Sequence, residues 1–232
     1  MLLPIILFIV SIFLLFISSQ ALITRLIKKF YRLSHSHHTA VNLLFFLLLP
    51  GIFLHEFSHI LTAELLQVRT GHLSLKPQFK DNQLKLGSAQ IAQTDPIRLT
   101  LIGTAPFFTG TLTLWLLLKF GLNLNLSTIT FSNLIPQFTS SIQQLAPLTL
   151  LAIFYLLFAI ANTMFSSPTD LQAAGLPLIL LLIILITLNF APLTLPINAI
   201  NLFQNFLFSV SLLFFITLSV NIILLLLLKL IR

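Results

Sequence analysis

The chain has 232 residues, of which 57% are apolar and only 7% are charged. A water-soluble domain carries roughly 25% charged residues to cover its surface, so this composition excludes an ordinary soluble fold and indicates that lipid is the main solvent. The net charge of +7 does not indicate nucleic-acid binding, because the 12 Lys and Arg residues fall in short gaps between apolar runs, where basic residues set membrane topology. The lack of cysteine excludes disulfides and thiolate metal ligands.

Apolar stretches with the roughly 20 residues that a spanning helix needs recur along the whole chain. They cover residues 2–24, 40–67, 97–118, 146–166, 172–191 and 204–228. We interpret the first stretch as an uncleaved span, because no basic residue precedes it as in a signal peptide. The sequence therefore predicts a single membrane domain over residues 1–232, an all-α polytopic fold with about six transmembrane helices.

The polar gap between the second and third stretches has a strand pattern. Leu73 and Leu75, and then Leu84 and Leu86, alternate with polar residues, and Lys80-Asp81-Asn82 lies between the two runs as a turn. Alternation with period two around a short polar turn is typical of a hairpin. We therefore predict a small β-hairpin-like insertion between the second and third helices.

The basic residues bear on orientation. With six spans and a cytoplasmic N-terminus, seven Lys and Arg residues face the cytoplasm and five face the other side. The seven are Arg69, Lys76, Lys80, Lys85, Arg98, Lys229 and Arg232, and the five are Arg25, Lys28, Lys29, Arg32 and Lys119. This excess favours cytoplasmic N- and C-termini, whereas the dense cluster after the first span favours the reverse orientation.

The second apolar stretch carries His55-Glu56-Phe57-Ser58-His59, an HExxH pattern. Residues four apart share one face of a helix, so the two imidazoles can hold one Zn²⁺, with Glu56 beside that face as the general base of a hydrolase. The alternative is that the three side chains only join neighbouring helices by hydrogen bonds. An ionisable residue in the membrane costs about 2.5–3.5 kcal/mol, which favours a functional site.

A catalytic zinc site usually takes three protein ligands and leaves one position open. The candidates for the third are Glu64, His72, Asp81, Asp95 and Asp170. Glu64 falls about 140° around the helix from His59, and the next three lie in the polar gap. Asp170 follows Pro168, which should break the helix and can direct the carboxylate inward, although Asp170 can also serve as a helix N-cap. We predict Asp170 as the third ligand.

HExxH in an early span, with a Pro-preceded Asp at the end of a later one, resembles the site-2 protease family of intramembrane zinc metalloproteases. That family pairs HExxH with an Asp in a motif close to Asn-Pro-x-x-Gly or Asn-Pro-Asp-Gly. The segment here is Ser167-Pro168-Thr169-Asp170, with Ser for Asn, one residue inserted before the Asp, and Leu171 in place of Gly. The resemblance implies a three-span catalytic core within residues 40–171, a metal near the cytoplasmic end of its helix, and a cytoplasmic chain after that helix. Because this agrees with the charge count, we predict that the N- and C-termini are cytoplasmic.

Together these patterns predict a zinc metalloendopeptidase with one Zn²⁺ per chain. His55, His59 and Asp170 are the predicted metal ligands, and Glu56 is the predicted catalytic base. We expect its substrates to be membrane proteins or peptides cut in or near transmembrane segments within the lipid bilayer. The rival interpretation is a metal-binding transport or regulatory membrane protein, which needs ligands but no base such as Glu56.

Overall fold

The structure, a computed structural model, describes residues 2–80, 83–124, 131–165 and 197–230, together with positions 183 and 187. These residues are mostly helical. The helices are α1 (Leu2–Ser34), α2 (His37–Leu65), α3 (Pro96–Leu116), α4 (Phe131–Gln144), α5 (Pro147–Thr163) and α6 (Ile197–Leu230). A π-helical turn at Leu117–Gly121 extends α3.

Four of the described helices are long and apolar enough to cross a membrane. They are α1, α2, α3 with its π-helical extension, and α6. The fifth helix, α5, is apolar but only 17 residues long. The expectation of a helical membrane protein is therefore confirmed at this level. Of the remaining predicted spans, 146–166 corresponds to the shorter α5, and 172–191 lies outside the described residues.

The polar gap after α2 forms two short antiparallel strand pairs. Strand β1 (Thr70–Ser74) pairs with β4 (Ser88–Ile91), and β2 (Gln78–Lys80) pairs with β3 (Gln83–Lys85). Lys80 lies opposite Gln83, so the chain reverses between them, where the sequence predicted the turn. The predicted hairpin is confirmed, although positions 81 and 82 are outside the described residues.

Helices α1 and α6 lie side by side and run in the same direction. Phe8 stacks on Phe214, Ser18 accepts a hydrogen bond from Asn221, and Arg25 donates to the carbonyl of Leu225. The partners advance together along both helices, which defines a parallel pair. The end of α1 adjoins the start of α2. The starts of α1 and α6 therefore lie at the opposite end of the bundle, where α2 ends. We call that end, where α2 stops and the strands lie, the hairpin end.

The prediction that both termini face the cytoplasm is not confirmed by this arrangement of the described helices. Parallel α1 and α6 place Leu2 at the hairpin end and Leu230 at the opposite end. Lys229 therefore joins the cluster after α1, and among the described residues the count becomes five basic residues at the hairpin end against six at the other.

Helix α5 runs toward the hairpin end and packs against α2 and α3. Along α3, Gly121 lies against Ile153 and Gly110 lies against Met164, so α5 and α3 are antiparallel. Since α3 runs away from the hairpin end, α5 runs toward it. The last residues of α5 thus approach the level of the second half of α2, where the HExxH pattern lies.

Candidate metal centre

Helix α2 carries the three motif residues on its buried side. The helix begins after Ser36, whose side chain accepts a hydrogen bond from the backbone N–H of Thr39, as an N-cap should. His55, Glu56 and His59 are only 4%, 7% and 7% exposed. Burial of ionisable groups inside an apolar bundle carries a large desolvation cost, which is offset only by binding partners.

The two imidazoles face each other at a separation that suits a shared metal ion. Nε2 of His55 and Nε2 of His59 are 3.3 Å apart, and the rings meet nearly edge to face. Two nitrogens bound to tetrahedral Zn²⁺ at about 2.0–2.1 Å are separated by about 3.3–3.4 Å. The side-chain geometry therefore fits the predicted zinc ligand pair.

A backbone carbonyl of α3 sets the tautomer of His59. Nδ1 of His59 lies 2.8 Å from the carbonyl oxygen of Ile102. A carbonyl can only accept, so Nδ1 carries the proton and Nε2 presents its lone pair toward His55. A metal-binding histidine commonly donates its second nitrogen to a carbonyl or carboxylate in this way. The sequence gives no signal for Ile102, because a carbonyl contributes through its position and not through its side chain.

The hairpin reaches Glu56 through Gly87, the residue before β4. A β-carbon at Gly87 would lie 2.8 Å from Cγ and 2.9 Å from Oε1 of Glu56. Those distances are shorter than van der Waals contact, so only glycine allows this approach. Its φ is not in the left-handed region, so the glycine is required for space and not for conformation. The buried carboxylate is therefore covered by the backbone of the hairpin.

Gly51 brings α5 against α2 one helical turn before His55. A β-carbon at Gly51 would collide with the carbonyl oxygen of Ala159 and the hydroxyl oxygen of Thr163. Close backbone approach at small residues is the usual way that membrane helices associate. α5 therefore packs directly beside the metal-binding helix, as the Asp170 prediction required.

Three of the five candidates for the third ligand lie among the described residues, and each of them is exposed or caps a helix. Glu64 is exposed and accepts a hydrogen bond from Thr70, and His72 is exposed on β1. Asp95 caps α3, and the hydrogen bond from the backbone N–H of Arg98 holds the pKa of that carboxyl below its ordinary value. In the part of the chain that the structure describes, no three His, Asp or Glu side chains form a metal-binding group. Asp81 and Asp170 lie outside the described residues.

The comparisons with known proteins identify no relative. No protein-family model, no curated protein and no solved structure matches this chain.

Proposed function

We propose that the chain is an intramembrane zinc metalloprotease, related in its mechanism to the site-2 proteases that its motifs resemble. The observation that carries this proposal is the 3.3 Å separation of the His55 and His59 Nε2 atoms beside a buried glutamate. Hydrogen bonds between helices could give both this separation and the contact of His59 with the Ile102 carbonyl, so the buried Glu56 beside the imidazoles is what favours a hydrolase. A hydrolase site requires both the ligand pair and an adjacent base.

Each residue has a defined task in this proposal. His55 and His59 hold Zn²⁺, which would supply Lewis-acid activation of water and of the substrate carbonyl. Glu56 accepts a proton from the water that attacks the peptide carbonyl carbon. Glu56 then returns that proton to the amide nitrogen as the C–N bond breaks, so that the amine leaves in its neutral form. The apolar surroundings keep bulk water from the carboxylate and strengthen its interactions.

Asp170 completes the ligand set in the proposal. Met164 contacts Gly110 of α3, and His59 contacts the carbonyl of Ile102 on the same helix. Measured along α3, the metal-binding turn therefore lies about 9–12 Å from Met164, in the direction of the hairpin end. Asp170 is six positions after Met164, and six residues span about 9 Å as a helix and about 20 Å when extended. The carboxylate is therefore within reach, because α5 points toward the hairpin end.

The hairpin supports a peptide substrate. A peptide bond inside a helix is shielded, so a transmembrane substrate must unwind before hydrolysis. In the described sheet β4 pairs with β1 on one side, and its first residue follows Gly87, which touches Glu56. A substrate segment added along the outer side of β4 would be held extended beside the base, as in β-strand addition.

The cytoplasmic placement of the site is part of the proposal and rests on the family resemblance. The basic residues, five at the hairpin end and six at the other among those described, no longer support it. A full set of six spans is likewise a proposal, since four described helices meet the length and composition of a span.

The test compares the wild-type protein with Glu56→Gln in detergent. Bound zinc and cleavage of a panel of transmembrane peptides are measured for both proteins. We expect about one zinc per chain in each and a loss of turnover of about 10²–10⁴-fold in the variant, the usual contribution of a general base. Zinc binding with equal cleavage by the two proteins, or with no cleavage by either, favours the transport or regulatory interpretation.

A further inference from the structure

A pair of buried asparagines joins α5 to α6 inside the bundle. The Asn162 amide donates to Oδ1 of Asn221 at 2.8 Å, and the Asn221 amide donates back to Oδ1 of Asn162 at 3.1 Å. The two residues are 1% and 0% exposed. A reciprocal amide pair is directional, whereas apolar contacts in a bilayer allow neighbouring helices to slide.

Helix α1 also forms hydrogen bonds with the asparagine pair and with the end of α5. Ser18 accepts a second hydrogen bond from the Asn221 amide, and Ser19 donates to the backbone carbonyl of Asn162. Gln20 donates to the carbonyl of Phe165, the last described residue before the Asp170 segment. The final carbonyls of a helix have no partner within that helix. α1 therefore satisfies acceptors at the end of α5 and fixes that end in place.

The end of α5 is also the part that contacts the metal-binding helix. Thr163, the neighbour of Asn162, lies against Gly51, four residues before His55. On a helix, Asn162 and Thr163 point in directions about 100° apart. One therefore contacts α6 while the other contacts α2. A shift of α5 on α6 moves α5 relative to His55.

We propose that Asn162 and Asn221 are positioning residues for the metal centre, which couple the α1–α6 pair to the His55 and His59 ligands through the end of α5. This inference rests on the proposed function. It gives α1 and α6, which lie outside the suspected core at residues 40–171, a role in setting zinc affinity. It also predicts that the zinc ligands respond to a substitution on α6.

The experiment uses Asn221→Leu, with Thr217→Val as its matched control. Thr217 is also buried on α6, but its hydroxyl donates only to the Leu213 and Phe214 carbonyls of its own helix. Two readouts are taken in detergent: the zinc dissociation constant, and the spin-label distance distribution between Phe53→Cys on α2 and Tyr155→Cys on α5 without metal. Both label sites are exposed, and the chain has no native cysteine.

We expect Asn221→Leu to weaken zinc binding 10–100-fold, the range for supporting residues around a metal site, and to broaden the α2–α5 distance distribution. Thr217→Val should change neither. The double substitution Asn162→Leu with Asn221→Leu removes both amides, so misfolding caused by one unpaired amide is avoided, and zinc binding should remain weak. An unchanged zinc dissociation constant in this folded double variant overturns the proposal.

The experiment distinguishes failure of the metalloprotease proposal from failure of the positioning role of the asparagines. If the wild-type protein binds no zinc, the proposed function fails, whatever the distance distribution does. A further outcome is that the wild type binds zinc while Asn221→Leu broadens the α2–α5 distance distribution without changing the zinc affinity. In that case the asparagines only hold α5 against α6. That result overturns the positioning role and leaves the metalloprotease proposal standing.

Discussion

The backbone of Gly87 lies against the side chain of Glu56, where an added β-carbon would be 2.8 Å from Cγ of the carboxylate-bearing side chain. This contact connects the hairpin to the proposed catalytic base. The atoms nearest to an added β-carbon belong to Glu56 and not to the zinc ligands His55 and His59. A change at Gly87 should therefore affect catalysis without removing zinc.

The first prediction follows from that contact. Gly87→Ala should retain zinc and lower kcat by about 10²-fold, because a displacement of about 1 Å in a catalytic group can cost that much. Bound zinc and peptide cleavage measured on the same preparation check it. The control is Gly71→Ala, whose β-carbon would lie 2.7 Å from Oε1 and 3.0 Å from Cβ of the exposed Gln90. The Oε1 end of that side chain can rotate away, and the Cβ contact needs only a small shift. Equal kcat values for the two variants would contradict a positioning contact at Gly87.

The second prediction concerns the contact between α2 and α5. Gly51→Ala should lower the stability of the protein by about 1–3 kcal/mol, because overpacking against backbone atoms cannot be relieved by a side-chain rotation. Gly110→Ala is the matched control, since its β-carbon would meet the flexible side chain of Met164 at 2.6 Å, and methionine adapts to its surroundings. Thermal unfolding in detergent measures both. A larger loss for Gly110→Ala would show that α5 is not held most tightly at Gly51.

The third prediction tests the parallel arrangement of α1 and α6. Single cysteines at Leu3 and His72 should be labelled by an impermeant reagent from one side of the membrane, and cysteines at His35 and Lys229 from the other. The chain supplies no competing thiol. Labelling of residues 3 and 229 from the same side would contradict the parallel arrangement and support the prediction that both termini face the same side of the membrane. The side that labels His72→Cys also decides whether the metal centre faces the cytoplasm.

The sequence predicted the local features well and the helix arrangement poorly, for a physical reason. His55 and His59 share a helix face at any α-helical geometry, and alternation of leucines around residues 80–82 defines a hairpin wherever it packs. The neighbour of each apolar helix is harder to predict, because lipid-facing and buried faces are equally apolar in a membrane protein. The α1–α6 pairing, the Ile102 carbonyl and the Gly87 contact all depend on that arrangement.

The glycines and asparagines did carry a usable signal. Gly51 sits one turn from His55, and small residues in membrane helices mark close contacts. Asn162 and Asn221 are amides within apolar stretches, where hydrogen bonds between helices are the default. What the sequence lacks is the identity of the partners, which the structure gives as Ala159 and Thr163 for Gly51, and as one another for the two asparagines.

The last prediction concerns the third ligand. Asp170→Ala should lower zinc affinity strongly and abolish cleavage, because two imidazoles alone leave a zinc site short of the usual three protein ligands. Zinc competition against a chelator measures the affinity, and peptide cleavage measures the activity. The controls are Glu64→Ala, His72→Ala and Asp95→Ala, which should retain zinc.

These controls are informative because each residue has an assigned position away from the imidazole pair. Glu64 and His72 are exposed, and Asp95 is occupied as the N-cap of α3, with Arg98 bound to it at 3.2 Å. Loss of zinc in one of them but not in Asp170→Ala would assign the third ligand to the segment 64–95 instead of to Asp170. That outcome would remove the second motif on which the resemblance to site-2 proteases depends. The His55, Glu56 and His59 site would remain, since its geometry does not depend on Asp170.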